Sequence, residues 1–131
     1  MFLTKECDYA IRIVRELADM EKKSVKTICD REQVPRPFAY KILKRLENAG
    51  LVSASRGTAG GYTLVKSPDN VTLLEIVKAV DSRLFLNECL LPGYSCPHNS
   101  NGNYCGVHKE FSRVQKLLIY ALNEKSITDI I

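Results

Sequence analysis

Three cysteines and both histidines of the chain fall within residues 89–108, CLLPGYSCPHNSNGNYCGVH. Six residues separate Cys89 from Cys96, eight separate Cys96 from Cys105, and His108 stands three positions after Cys105. Thiolate sulfur is a soft ligand, suited to iron–sulfur clusters, zinc or copper(I). The segment has few apolar residues with which to order itself, and Pro92, Gly93, Pro97, Gly102 and Gly106 permit tight turns. A bound metal centre would supply the missing stabilisation. Zinc favours paired C-x-x-C spacings, which the sequence lacks. Three loosely spaced cysteines with a non-cysteine fourth ligand suit an iron–sulfur cluster better, with a weaker fourth bond leaving one iron open to chemistry. A zinc-held loop, a metal-free thiol switch and a set of free thiols are the competing readings. His98, beside Pro97, reads as exposed rather than ligating. The total of five cysteines is odd, which suits a disulfide framework poorly.

The elements that must position this loop are mostly helical. Thr4 is a candidate cap for a helix running to about Met20, with Ala10, Ile13, Val14, Leu17 and Ala18 on its apolar face. Ser24 caps a shorter helix that ends near Gln33. Cys29 extends that helix's apolar face with Val25 and Ile28, so it reads as a buried thiol. VPRP then breaks the chain, Pro37 suits the first turn of a third helix, and Gly50 ends it. On a wheel Ala39, Ile42, Leu43, Leu46 and Ala49 share one side of this helix, and Tyr40, Lys41, Lys44, Arg45 and Asn48 the other. LVSAS and YTLV are β-prone runs joined by RGTAGG, which predicts a hairpin with Arg56 at its turn.

Helix, short helix, break, helix and basic hairpin together predict a winged helix-turn-helix. The fold class expected is mainly α with a small β-hairpin wing, followed by a long C-terminal dimerisation helix. In such folds the second helix of the pair enters the DNA major groove and the wing lies along the backbone or minor groove. Arg36, Tyr40, Lys41, Lys44, Arg45 and Arg56 are the candidate DNA contacts, cations for phosphates and donors for base edges. Charge agrees: residues 1–65 hold 12 Lys and Arg against 8 Asp and Glu, whereas residues 66–131 hold 7 of each.

Thr72 and Glu75 have capping-box spacing and start a further helix with Leu74, Val77 and Val80 inward. After the cysteine loop, Val107, Phe111, Val114, Leu118 and Ala121 step by four, three, four and three. They form an apolar seam flanked by Leu117 and Leu122. That seam predicts a helix packing against a twin, since palindromic operators are read by two-fold dimers. SITDII adds a last short helical turn. The expected organisation is residues 1–66 as the DNA-binding region, 67–88 as a connecting helix, 89–108 as the cluster-binding loop and 107–131 as the dimerisation helix and tail.

Composition narrows the function classes. Hydrophobic residues make up 45% of the chain and charged residues 26%, the balance of a globular domain. No window approaches the about 20 apolar residues of a membrane span. The charged N-terminus MFLTKECDYAIR does not read as a signal peptide, so a cytoplasmic protein with reduced thiols is expected. The sequence has no nucleophile elbow, phosphate loop or paired-carboxylate constellation, so an enzyme is not expected, and no small-molecule substrate is indicated.

LTKECDYAIR, VPRPFAYKILKRLENAGLV, RGTAGGYTL and VTLLEIVKAVD resemble, in turn, the opening helix, recognition helix, wing and connecting helix of the Rrf-two family of bacterial winged-helix transcription regulators, in its iron–sulfur-binding type. The resemblance covers nearly the whole chain. It implies a homodimeric regulator whose binding to double-stranded operator DNA is controlled by an iron–sulfur cluster on Cys89, Cys96 and Cys105; a repressor is expected, though the sequence does not choose between repression and activation. For the fourth ligand it offers two candidates: His108, and Asp8 reaching across from the partner subunit. The gap between Cys96 and Cys105 is longer than in the best-known members, so the resemblance does not choose between a two-iron and a four-iron cluster. The alternatives are a metal-free thiol-based redox regulator and a zinc-stabilised winged-helix module that binds protein.

Overall fold

Thr4 opens the first helix by leaving the helical region, at φ −82° and ψ 167°, and accepting the Cys7 N–H on its Oγ1. The computed structural model describes residues 3–99 and 104–131, so Gly102 lies outside the described residues. Helix α1 (Lys5–Glu16) has Glu6 and Asp8 in its first turn and Arg15 in its last, complementing the helix dipole. It buries Cys7, Ala10, Ile13 and Val14 completely. It ends a turn earlier than Met20, because Leu17 closes it and Met20 adopts φ 64°.

Ser24 caps α2 (Val25–Glu32) through the Thr27 N–H, and Gln33 stops it in the left-handed region. Helix α3 (Arg36–Asn48) has no side-chain cap. Pro35 and Pro37 set its entry instead, and a proline in the first turn forfeits only an N–H that the helix leaves unused. Its end is a Schellman turn: the Gly50 N–H donates to Glu47 O and the Leu51 N–H to Leu46 O, each at 2.9 Å. Gly50 sits at φ 76°, where a β-carbon costs about 1–2 kcal/mol. Ala39, Ile42, Leu43 and Leu46 are buried as expected, but Ala49, at the cap, is exposed.

Strands β1 (Val52–Ser55) and β2 (Gly61–Leu64) pair antiparallel with Val52 opposite Leu64 and Ser55 opposite Gly61. Lys23, just before α2, exchanges backbone hydrogen bonds with Tyr62 at 3.0 and 2.8 Å, fastening the wing to the body. A β-carbon on Gly61 would come within 2.6 Å of Lys23 O, so this close approach requires glycine.

Helix α4 (Leu73–Val80) starts at Thr72, whose Oγ1 accepts the Glu75 N–H at 3.3 Å. The expected box closes only halfway, because the Glu75 carboxylate pairs with Lys66 instead. Helices α1, α3 and α4 pack on one another around a single core that also takes in Leu51, Val52, Leu64 and Val71. Each fully buried aliphatic side chain there contributes about 1.5–3 kcal/mol.

Helix α5 (Gly106–Glu124) follows the cysteine loop and is about 28 Å long at 1.5 Å per residue. None of its residues is buried, and the hydrophobic side chains it packs against the core cluster are Ile119 and Leu122. What holds its C-terminal end is the segment beyond it. Ile127 is fully buried, its N–H donates to Val71 O at 2.7 Å, and Ser126 bridges Thr72. The expected short helical turn in SITDII is therefore a pinned turn that contributes to the core.

Candidate functional site

Helix α3 presents Arg36, Tyr40, Lys41 and Lys44 to solvent, with Arg45 half-buried beside them. Their charges are unequally free. Lys44 pairs with Glu47 of its own helix at 3.2 Å. Lys41 Nζ and Arg45 Nη1 both reach Glu6 on α1, at 2.6 and 2.5 Å, and Arg45 Nη1 also donates to Val80 O at 2.7 Å. The Lys41 hydrogen bond, with Arg45 behind it, holds the Glu6 carboxyl below the usual carboxylate range against the opposing pull of burial. Arg45 thus fastens three helices together, a role its place on the polar face did not suggest.

At the N-terminal end of α3, Phe38 stacks obliquely on Tyr9 of α1, with ring centroids 5.6 Å apart, and Lys5 lies over the same Tyr9 ring at 5.3 Å. Arg56 stands exposed at the start of the wing turn. The wing's tie to Lys23 fixes its position relative to α2 and α3.

In the cysteine loop, Asn99 links the second and third cysteines. Its N–H donates to Cys96 O at 3.0 Å, and its side-chain Oδ1 accepts the Cys105 N–H at 3.3 Å. Cys105 then caps α5, with its Sγ accepting the His108 N–H at 3.5 Å. Cys89 lies in a 3-10 turn, Glu88–Leu90, that packs against α5, and Gln115 of α5 accepts the Leu86 N–H at 3.0 Å. All five cysteines are free thiols: Cys7 and Cys29 are buried, the three loop cysteines partly exposed. Burial pushes the Cys29 thiol up, as for an inert core cysteine.

The donor set suits a thiolate-bound centre in one specific respect. His108 Nδ1 is buried and has no hydrogen-bond partner among the described residues. Leaving such an atom unsatisfied costs about 1–3 kcal/mol, which a metal bond would offset. Among the described residues no three His, Cys, Asp or Glu side chains come together as a metal-holding set. The loop ties Cys96, Cys105 and His108 to a shared frame without converging their side chains. Asp8, the other candidate, pairs with Arg12 at 3.1 Å and Lys5 at 3.9 Å and keeps 44% of its side chain exposed.

Along α5 the expected seam is open to solvent within one chain. Val107 and Ala121 are exposed, and Phe111, Val114 and Leu118 are half-buried. Leu117 and Tyr120 add further exposed apolar surface, at 54% and 69%. Leu122 turns to the core instead of flanking the seam.

The family model for Rrf2, described as an iron-dependent transcriptional regulator, matches residues 3–131. The chain belongs to the Rrf2 family. As an Rrf2 protein it is a DNA-binding transcription regulator and not an enzyme. It is 38% identical over 87 residues to the putative HTH-type transcriptional regulator slr0846 of Synechocystis, a match covering 64% of this chain and 59% of that relative's length. Its fold is that of two solved regulators. T. potens IscR superposes with TM-score 0.76 at 20% identity, over 98% of this chain and 84% of that one. CymR (YrzC), the global cysteine regulator of B. subtilis, superposes with TM-score 0.76 at 23% identity, over 98% and 94%. The winged helix expected from the sequence is therefore present. No helix among the described residues is long and apolar enough to cross a membrane.

Two side chains that frame the candidate site carried no readable sequence signal, and a third carried a weak one. Glu6 and its partners are 35 and 39 residues apart, so only the tertiary fold brings them together. Gln115 reaches the turn before Cys89 across 29 residues. Asn99 had a weak signal, since asparagine in a Gly- and Pro-rich loop commonly bonds backbone groups.

Proposed function

We propose that this Rrf2 protein is a homodimeric repressor whose affinity for operator DNA is set by an iron–sulfur cluster. Cys89, Cys96 and Cys105 are the thiolate ligands, with His108 or Asp8 as the fourth. Arg36, Tyr40, Lys41 and Lys44 of α3, with Arg56 of the wing, are the DNA contacts. Arg45 fixes the helix that carries them. Val107, Phe111, Val114, Leu118 and Ala121 form the dimer seam. The observation that carries the reading is the buried His108 Nδ1, without a hydrogen-bond partner among the described residues, in the first turn of a helix whose cap is Cys105. When bound, an iron–sulfur centre supplies a group that responds to iron supply and redox state.

The chain's own residues then transmit the state of the loop. Cys105 caps α5, His108 lies in its first turn, and Ile119, Leu122 and Ile127 hold its far end to the winged-helix core. A change in the loop alters the tilt of α5 and with it the separation of the two recognition helices. That separation must match successive major grooves, about 34–36 Å apart. The loop state therefore shifts the population of DNA-competent dimers.

The test begins with operator selection from genomic fragments by the anaerobically purified protein. The selected duplex is then titrated with cluster-loaded and chelator-stripped protein. A difference of roughly tenfold or more is expected from typical coupling free energies; equal affinities would contradict cluster control.

A second reading, metal-free thiol sensing, is supported by the three partly exposed free thiols of the loop and by a fold shared with a cysteine regulator. It predicts a colourless protein whose DNA affinity changes with a disulfide-forming oxidant and recovers with a thiol reductant.

A further inference from the structure

Four cations lie along α3, and their partners sort them. Arg36 makes no ion pair among the described residues, and Lys44 is paired within the helix. Lys41 and Arg45 share one carboxylate of another helix but take separate oxygens: Lys41 bonds Oε1 of Glu6, and Arg45 bonds Oε2. Arg45 is held a second time by Val80 O, whereas Glu6 is the one anionic partner of Lys41 among the described residues. Lys41 is 52% exposed and Glu6 25%, so the cation sits outboard of the anion.

We propose that Glu6 is a negative specificity determinant, a carboxylate that competes with DNA phosphate for Lys41. The inference rests on the reading that α3 faces the DNA. The arrangement permits an exchange. When a phosphate takes the Lys41 ammonium, Glu6 is not left an uncompensated charge, because Arg45 remains on its other oxygen. Arg45 itself stays where Val80 O holds it, so α3 keeps its place against α1 and α4. A duplex that seats α3 fully in its groove brings a phosphate close enough to win Lys41. A loosely bound duplex does not, and meets a helix whose charge is partly cancelled. Lys–phosphate pairs carry no sequence information themselves, so withholding one from poorly seated DNA lowers non-specific binding.

The probe is a short random-sequence DNA duplex, titrated at low ionic strength where exposed charges are least screened. Glu6→Gln is expected to tighten binding by about two- to five-fold per subunit, the range of an exposed ion pair. The gain should vanish in a Lys41→Ala background, as a double-mutant cycle requires. Lys41→Ala alone should weaken binding; if it is neutral, the α3 reading itself fails. If Lys41→Ala weakens binding but Glu6→Gln leaves it unchanged or weaker, Glu6 is a strut between α1 and α3 and the proposal is overturned. Circular dichroism checks the fold of each variant. Should Glu6→Gln unfold, Glu6→Asp keeps the charge but draws it back from Lys41. It should give a smaller gain, and no gain would overturn the proposal equally.

Discussion

The backbone N–H of His108 donates to Cys105 Sγ, so the last cysteine of the loop caps α5 through the nearest histidine, in the first turn of that helix. One helix thereby carries two candidate ligands at its start and the proposed dimer seam, open to solvent, along its length. Asn99 ties Cys96 into the same frame. In the proposed reading, sensing and dimer geometry meet in this single element.

The fourth ligand can be assigned by substitution. His108 Nδ1 has no hydrogen-bond partner among the described residues, whereas Asp8 is already engaged by Arg12. His108→Ala should therefore lose or strongly alter the visible absorption of anaerobically prepared protein, and Asp8→Ala should leave it intact. The reverse pattern would assign the position to Asp8.

The proposed dimer seam should respond to charge. Replacing Leu118 with Asp puts a carboxylate amid Val114, Leu117 and Ala121, where a packed interface cannot solvate it. The expected result is a monomer with unchanged helix content, read by sedimentation and circular dichroism. Wild-type protein sedimenting as a monomer at micromolar concentration would remove the seam's assigned role.

Ile127 should matter for stability out of proportion to its place near the C-terminus. It is fully buried and closes the core beside Val71. Ile127→Ala should lower unfolding free energy by about 2–5 kcal/mol, the range for Ile-to-Ala in a packed core. Urea titration would show this as a lower midpoint at similar slope.

On DNA, Arg36 and Lys44 should behave differently from Arg45. Arg36→Ala and Lys44→Ala should each flatten the logarithmic salt dependence of binding by about one unit per subunit, with circular dichroism unchanged. Arg45→Ala should instead lower the melting temperature, because it removes the bridge to Glu6 and Val80. A salt slope unmoved by Lys44→Ala would make Lys44 solvated surface.

Much of this architecture was legible because it is locally encoded. Thr4, Ser24 and Thr72 cap their helices through the third residue onward, a relationship contained within four positions. Pro37 and Gly50 bracket α3 for equally local reasons. Local pattern failed where tertiary structure decides. The first helix, expected to run to about Met20, closes at Leu17, although Ala18 beyond it still packs against the core. Ala49 shares the buried side of the wheel but stands at an exposed cap. Ile127 lies in a segment too short to show a period at all. The cation face of α3 was readable as a face, but its partial neutralisation was not, since Glu6 comes from another helix. The cysteines were conspicuous by type and spacing, while the bonds through Asn99 that frame them depend on the folded loop.

The most direct test is the metal content of protein purified without oxygen, by iron and acid-labile sulfide analysis with a visible absorption spectrum. The account predicts a brown protein holding iron and sulfide in comparable amounts, and a Cys96→Ala variant that is colourless and holds neither. A wild-type protein that stays colourless after reconstitution with iron and sulfide would contradict it.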